Sequence, residues 1–182
     1  MYSNKYKVLS TFFDDLNPEG GLRLREISKK IKLAPASVKN YLKQLEKEKL
    51  IVSKKHRYLT YNTYYPNINK EFKFIKTKHT LTKIKGIGLE GYIYKTCLPE
   101  TIILFGSASI GEDSADSDID LFVLSPKKDL KLKTFEKRIN RKINIYFQKS
   151  FDKLSTELKN NIVNGIILRG YLNAFTKKNN SQ

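Results

Sequence analysis

The 182 residues include no tryptophan, one cysteine, one methionine and two histidines. A single thiol, Cys97, cannot close an internal disulfide or build a thiolate metal site, so a reducing cytoplasm is the expected setting. His56 and His79 have no second His, Cys or Glu at ligand spacing, and each reads as a solvent-exposed or DNA-facing side chain rather than a zinc ligand. Acidic residues are also scarce, 18 against 35 basic ones, for a formal net charge of +17. No apolar run approaches the ~18 residues needed to cross a bilayer. The amino terminus carries Asp14, Asp15 and Glu19 in place of an apolar leader, so no membrane association is expected.

What is present is a globular composition, 40% hydrophobic and 29% charged, with enough apolar residues for one large core or two small ones. The cationic excess favours a polyanionic partner. It is uneven: residues 1–65 carry +8, 66–100 carry +4 and 101–182 carry +5. Residues 6–16 place Val8, Leu9, Phe12, Phe13 and Leu16 on one helical face. After a Pro-Gly turn, residues 22–31 set Leu24, Ile27 and Ile31 at offsets of three and four. From Ala36 to Lys49, Val38, Leu42 and Leu45 share a face and leave Ser37, Lys39, Asn40, Lys43 and Lys47 outside. Two such helices joined by a tight turn make a helix-turn-helix. Residues 50–52 then read as a strand, 53–57 as a polar tip and 58–63 as a return strand, with 64–67 breaking the pattern.

This order resembles the winged-helix regulators of bacteria and archaea. The resemblance implies a double-stranded DNA partner and a role in transcription regulation. Ser37, Asn40 and Lys43 would face base edges, Lys39 would also contact the DNA, and Lys54, Lys55 and Arg57 of the wing would meet phosphates.

The chemistry sits further along. Thr101, Ile102, Ile103, Leu104 and Phe105 form a compact apolar run suited to a central strand, and it leads directly into Gly106-Ser107. Glycine lets the backbone turn and a phosphate approach, while Ser107 can cap a following helix and offer its hydroxyl and amide as donors. Ten residues lie between Ser107 and Asp118, which opens the run Asp118-Ile119-Asp120-Leu121-Phe122-Val123-Leu124. Alternation along a strand puts both carboxylates on one face. Neighbouring carboxylates repel unless a cation neutralises them, and hard oxygen donors suit Mg²⁺ or Mn²⁺. Glu112, Asp113 and Asp116, in the intervening loop, read as solvated charges.

Gly106-Ser107, ten residues, then Asp118-x-Asp120 resembles the signature of the DNA polymerase beta-like nucleotidyltransferase superfamily, in particular its minimal archaeal and bacterial members. The likeness extends over about residues 90–172, including a closing helix and strand at 157–171. It implies that Gly106 and Ser107 hold the triphosphate of an NTP, ATP being the expected one, and that Asp118 and Asp120 are the catalytic metal ligands. Two departures stand out. The position where the family supplies a third carboxylate falls on Asn144, which cannot accept a nucleophile's proton or balance a second divalent ion. Where an arginine commonly follows the Gly-Ser, this chain has Ala108, Ser109 and Ile110.

The expected fold class is therefore α+β. A winged helix-turn-helix occupies 1–65, connecting helices 66–98 and a nucleotidyltransferase-type, polymerase beta palm-like domain with a mixed sheet 99–175, with a disordered tail at 176–182. Three functional readings are open: a DNA-binding regulator whose second domain binds Mg-NTP; an antitoxin-like enzyme transferring a nucleoside monophosphate to a protein or nucleic-acid acceptor; and a degenerate nucleotide-sensing or dimerisation domain. For the last, Phe72, Phe74, Ile75, Leu81 and Ile84 of the connecting helix would supply contacts in a homodimer. Tyr92 and Tyr94, like Phe72 and Phe74, read as packing residues, and Cys97 as a small core residue.

Overall fold

The computed structural model describes residues 3–55 and 61–174. The chain divides into two compact units, one of residues 1–76 with 111–115 and one of 77–110 with 116–182. The fold is α+β, with two separate sheets.

In the first unit, Ser3 accepts a hydrogen bond from the Tyr6 amide and starts α1 (Asn4–Ser10). The helix is shorter than the apolar spacing predicts. The amides of Phe12 and Phe13 bond to the carbonyls of Leu9 and Ser10, three residues back, so the chain tightens into turns that still bury both rings. Residues 22–31 do not begin as helix either. Leu22–Arg23 forms β1, and α2 (Leu24–Ile31) follows, with the Glu26 carboxylate accepting from the Arg23 amide. Gly21 before β1 has φ +71° and no room for a side chain, because a Cβ there would lie 2.6 Å from the Tyr65 ring.

Pro35 opens α3 (Pro35–Lys47), where its missing N–H costs nothing. Val38, Leu42 and Leu45 of α3 are fully buried with Ile27 of α2 and Val8 and Phe12. β2 (Ile51–Lys55) and β3 (Asn62–Pro66) pair antiparallel, and the sheet runs β1-β3-β2. Helix, strand, two helices and a two-stranded hairpin, with the first strand added to the hairpin, is the winged-helix topology. Among the described residues the return strand runs from Asn62 and takes in Tyr64, Tyr65 and Pro66, the residues whose composition suggested a break. Pro66 closes the strand opposite Ile51, at an end where a missing N–H is tolerated. The tip around His56 and Arg57, with Tyr58, lies outside the described residues, as does the tail from 175 onward.

Residues 111–115 belong to this unit; Glu112 is exposed, as expected, but Asp113 is not a loop charge in water. Asp113 pairs with Lys76 at 2.7 Å, and the two side chains are 3% and 2% exposed. The Lys76 ammonium also donates to the Asp113 carbonyl. Glu112 pairs with Lys73, the Ala115 amide donates to the Asp14 carbonyl, and Gly111 (φ +74°) lies where a Cβ would strike the Lys73 carbonyl. Asp116 is exposed, as expected.

Helix α4 (Lys70–Gly86) contributes Phe72 to the first core and Ile84 to the second. Neither is therefore free to build a dimer surface, and of the residues proposed for that role only Phe74 is strongly exposed, at 62%. That exposure also corrects its reading as a packing residue.

The second unit is a four-stranded mixed sheet in the order β6-β5-β4-β7. β4 (Thr101–Phe105), buried along its whole length, pairs antiparallel with β5 (Ile119–Leu124) and β7 (Ile166–Gly170), while β5 and β6 (Ile143–Gln148) run parallel. One face of the sheet packs Ile102, Leu104, Ile119, Leu121 and Val123 against Leu89, Ile93 and Cys97 of α5 (Leu89–Cys97). The other packs Ile103, Phe105, Phe122 and Leu124 against Phe151, Leu154 and Ile162. Between the strands lie a single turn, α6 (Ser107–Ile110), the crossover helix α7 (Lys133–Ile139) and the closing helix α8 (Thr156–Val163). A parallel β5–β6 pair requires a crossover such as the one carrying α7. Among the described residues, no helix is long and apolar enough to cross a membrane.

Candidate functional site

The antiparallel register of β4 and β5 sets Phe105 opposite Asp120, so the chain leaves β4 at Gly106 beside that carboxylate. Gly106 has φ +72°, and a Cβ on it would lie 2.9 Å from Asp120 Oδ2. Both the backbone angle and the space call for glycine. The helical turn α6 opens at Ser107 itself. Ser109, rather than Ser107, bonds back to the Gly106 carbonyl, through its amide (3.1 Å) and its hydroxyl (2.7 Å). Ser107 is half-buried.

The parallel register of β5 and β6 sets Asn144 beside Asp120. The Asn144 amide nitrogen donates to Asp118 Oδ2 at 3.0 Å and to Asp120 Oδ1 at 3.1 Å. The three residues singled out on chemical grounds thus meet at one place, half-buried, with Gly106 against the same carboxylate. The amide links the two acids and offsets their mutual repulsion with two charge-assisted hydrogen bonds.

Composition gave no sign of Arg141. Its guanidinium donates to the Ser117 carbonyl at 2.6 Å through Nε and to the Asp118 carbonyl at 3.0 Å through Nη2. The Ile119 amide donates to the Lys142 carbonyl. The residues just before β6 therefore fix the backbone that delivers the acidic pair to β5.

The donor set at this point is two carboxylates and one amide. Among the described residues, no cluster of three or more His, Cys, Asp or Glu exists. Two convergent carboxylates, hard and doubly negative, fit one divalent cation of the Mg²⁺ type. They do not supply the third acid that a second ion would need. Asn144 directs its NH₂ at the pair, so its carbonyl would face a cation only with the amide turned over.

In the first unit, Ser37, Lys39, Asn40 and Lys43 are exposed on α3, opposite the buried stripe of Val38, Leu42 and Leu45. Lys54 and Lys55 are exposed on β2, and the Lys54 ammonium lies 4.8 Å from the centre of the Tyr65 ring. Arg57 falls outside the described residues. Sequence reasoning passed over Arg23 and Arg25. They line a cavity of about 690 Å³ with Lys39, Tyr61 and Asn62, and the Arg23 guanidinium sits 4.9 Å from the Tyr61 ring centre. Their signal was hidden because both lie in a stretch legible only as amphipathic helix. His79 is half-buried. Cys97 is a core residue, and burial pushes its thiol pKa up, an effect only partly offset by the charge of Lys128.

Residues 93–177 match the family model of the nucleotidyltransferase domain, so the carboxyl-terminal unit carries a domain of this type. Among solved structures, the chain is similar to S. aureus MepR in a complex with DNA, at 18% identity over 52% of this chain and 76% of that one, with a TM-score of 0.35. It is similar to S. aureus MepR bound to ethidium bromide at 19% identity over 52% and 75%, with a TM-score of 0.33. The winged-helix assignment rests on the topology of the first unit, not on these likenesses. No curated protein matches the chain.

Proposed function

We propose that this chain is a DNA-binding regulator whose nucleotidyltransferase-type domain binds a nucleoside triphosphate with one Mg²⁺ (or Mn²⁺), without the acid set of an efficient transferase. Gly106 and Ser107 would hold the phosphates, and Asp118 and Asp120 would hold the metal. ATP is the expected nucleotide. When bound, the divalent ion would supply charge neutralisation to the phosphate oxygens. The protein's own part is to keep two carboxylates together beside a backbone turn that glycine forms without strain, so that a phosphate can come close without meeting a side chain.

The observation that carries this reading is the hydrogen bonding of Asn144 to both carboxylates. At that position an acid would be needed to take the proton of an attacking hydroxyl, and an amide cannot do so. Binding is therefore favoured over transfer to a protein or nucleic-acid acceptor. For the first unit, the exposed Ser37, Lys39, Asn40 and Lys43 on α3, with Lys54 and Lys55 on the wing, support double-stranded DNA as the partner.

Calorimetry with ATP tests the nucleotide reading. Heat is expected with Mg²⁺ and not with EDTA, and Asp118→Asn should abolish it. Equal binding without a divalent ion would overturn the assignment. Labelled ATP should leave no covalent label on protein or nucleic acid. Transfer at an ordinary enzymatic rate would favour the enzyme reading instead. For DNA, the affinity of a duplex should fall steeply with salt, by a logarithmic slope of about 0.9 per phosphate contact.

A further inference from the structure

Among the described residues, β6 is an outer strand of its sheet and pairs with β5 alone. Ile143, Ile145 and Phe147 pack toward the core that includes Leu121 and Val123, so Asn144, Tyr146 and Gln148 share the opposite face, that of Asp120. At about 3.3 Å of rise per residue, Tyr146 stands roughly 6.6 Å beyond Asn144 and Gln148 roughly 13 Å beyond it. Tyr146 is 43% exposed. Its ring meets that of Phe105, the residue before Gly106, in a T-shaped contact with centroids 5.3 Å apart at 71°.

Past Tyr146 the surface opens into a cleft of about 540 Å³ lined by Tyr146, Gln148, Leu154, Lys127, Lys149 and Lys153. That volume is within the range of ordinary ligand sites, about 300–1,000 Å³. Among the described residues, none of the three lysines is paired with a carboxylate. Three uncompensated ammonium groups around an apolar floor, approached across an aromatic ring, suit a ligand that alternates flat rings with negative charges. A duplex keeps its rings stacked inside and cannot lay one on Tyr146. An acidic peptide can pair with the lysines, but only a nucleic-acid strand carries a flat ring and a negative charge on every unit.

We propose that this cleft binds single-stranded nucleic acid, with phosphates on Lys127, Lys149 and Lys153, a base on Tyr146, and the strand's end directed at Asp118 and Asp120. Binding itself does not depend on the metal-nucleotide reading. Only the meaning of the end beside the carboxylates does, where it would make a nucleic-acid strand the companion of the bound nucleotide.

The absence of tryptophan from the sequence provides a reporter, because Tyr146→Trp gives the full chain a single indole at the point of interest. Titration with a short oligodeoxythymidylate should quench it. Three contacts at a logarithmic salt slope of about 0.7 each predict a slope near 2, or about a 20-fold loss of affinity between 50 and 200 mM salt. Replacing Lys127, Lys149 and Lys153 with alanine should flatten that slope while Mg-ATP heat persists, which separates failure here from failure of the nucleotide assignment. Should the indole variant not fold, the lysine triple alanine with native Tyr146 should lose strand affinity by anisotropy in a Lys54/Lys55→Ala background. Unaltered fluorescence on strand binding, unaltered affinity in that background, or equal quenching by pyrophosphate or polyglutamate, would overturn the proposal.

Discussion

Asn144→Asp tests the reasoning most directly, because it changes one NH₂ into an oxygen and leaves the shape of the site alone. In the native protein the amide donates to Asp118 at 3.0 Å and to Asp120 at 3.1 Å. Hydrogen bonds to charged acceptors contribute about 1.5–3 kcal/mol each, and at a half-buried site the lower end applies, so the variant without metal should lose about 3 kcal/mol. For a chain of this size that corresponds to a melting temperature lower by about 6–12 °C. A divalent ion reverses the sign, since a third carboxylate is then a ligand rather than a repelled neighbour. A ligand at 100 times its Kd restores about 2.7 kcal/mol. Thermal melts in EDTA and in Mg²⁺ should thus show a large magnesium response for the variant and a smaller one for the native chain. If the variant melts with the native protein in EDTA, or magnesium stabilises both equally, the amide does not hold the acids together and the site has been misread.

Other perturbations have equally definite outcomes. Gly106→Ala forces φ +72° on a residue with a Cβ and drives that carbon to 2.9 Å from Asp120 Oδ2, so Mg-ATP heat should be lost while far-UV circular dichroism is kept. Removing one partner of the buried Lys76–Asp113 pair takes from Asp113 the ammonium that faces it at 2.7 Å; Lys76→Ala should cost about 3–5 kcal/mol in urea unfolding, and a loss below about 1 kcal/mol would mean that water reaches the pair. The Cys97 thiol is raised by burial, so the folded state holds its proton above the pH at which the unfolded chain releases it. That contribution to stability is present below the unfolded thiol pKa and is lost as pH rises past it. Cys97→Ala should accordingly show a shallower decline in melting temperature through the alkaline range than the native chain, and identical slopes would refute the assignment.

The parts legible in the sequence are those where one residue type answers one local demand. Val38, Leu42 and Leu45 announce a buried helical stripe, and β4 and the Asp118-x-Asp120 strand announce themselves by apolar runs and alternation. Asn144 could be matched to the acidic pair because the strand around it alternates plainly. What was not legible depends on partners distant in sequence. Nothing near Asp113 distinguishes a buried anion from a loop charge, because its burial is set by Lys76, 37 residues away. β1 is only two residues long, and it exists because Leu22 and Arg23 meet Tyr64 and Thr63. Pro66 and the tyrosines before it read as a break because local propensity disfavours proline in strands, yet the last position of a strand does not use its N–H. Helix α7 was missed because its stretch is rich in lysine, with few apolar residues to set a period.

The ion pair of Lys76 with Asp113 also bears on how this protein can be divided or recombined. A fragment ending at residue 76 contains every winged-helix element but omits the five residues, 111–115, that complete the same unit. Such a fragment would lack the Asp113 carboxylate that Lys76 meets in the intact chain. The amino-terminal unit is thus continuous in space and interrupted in the gene, and transplanting it into another protein would require a peptide carrying Gly111 and Asp113 to be supplied alongside.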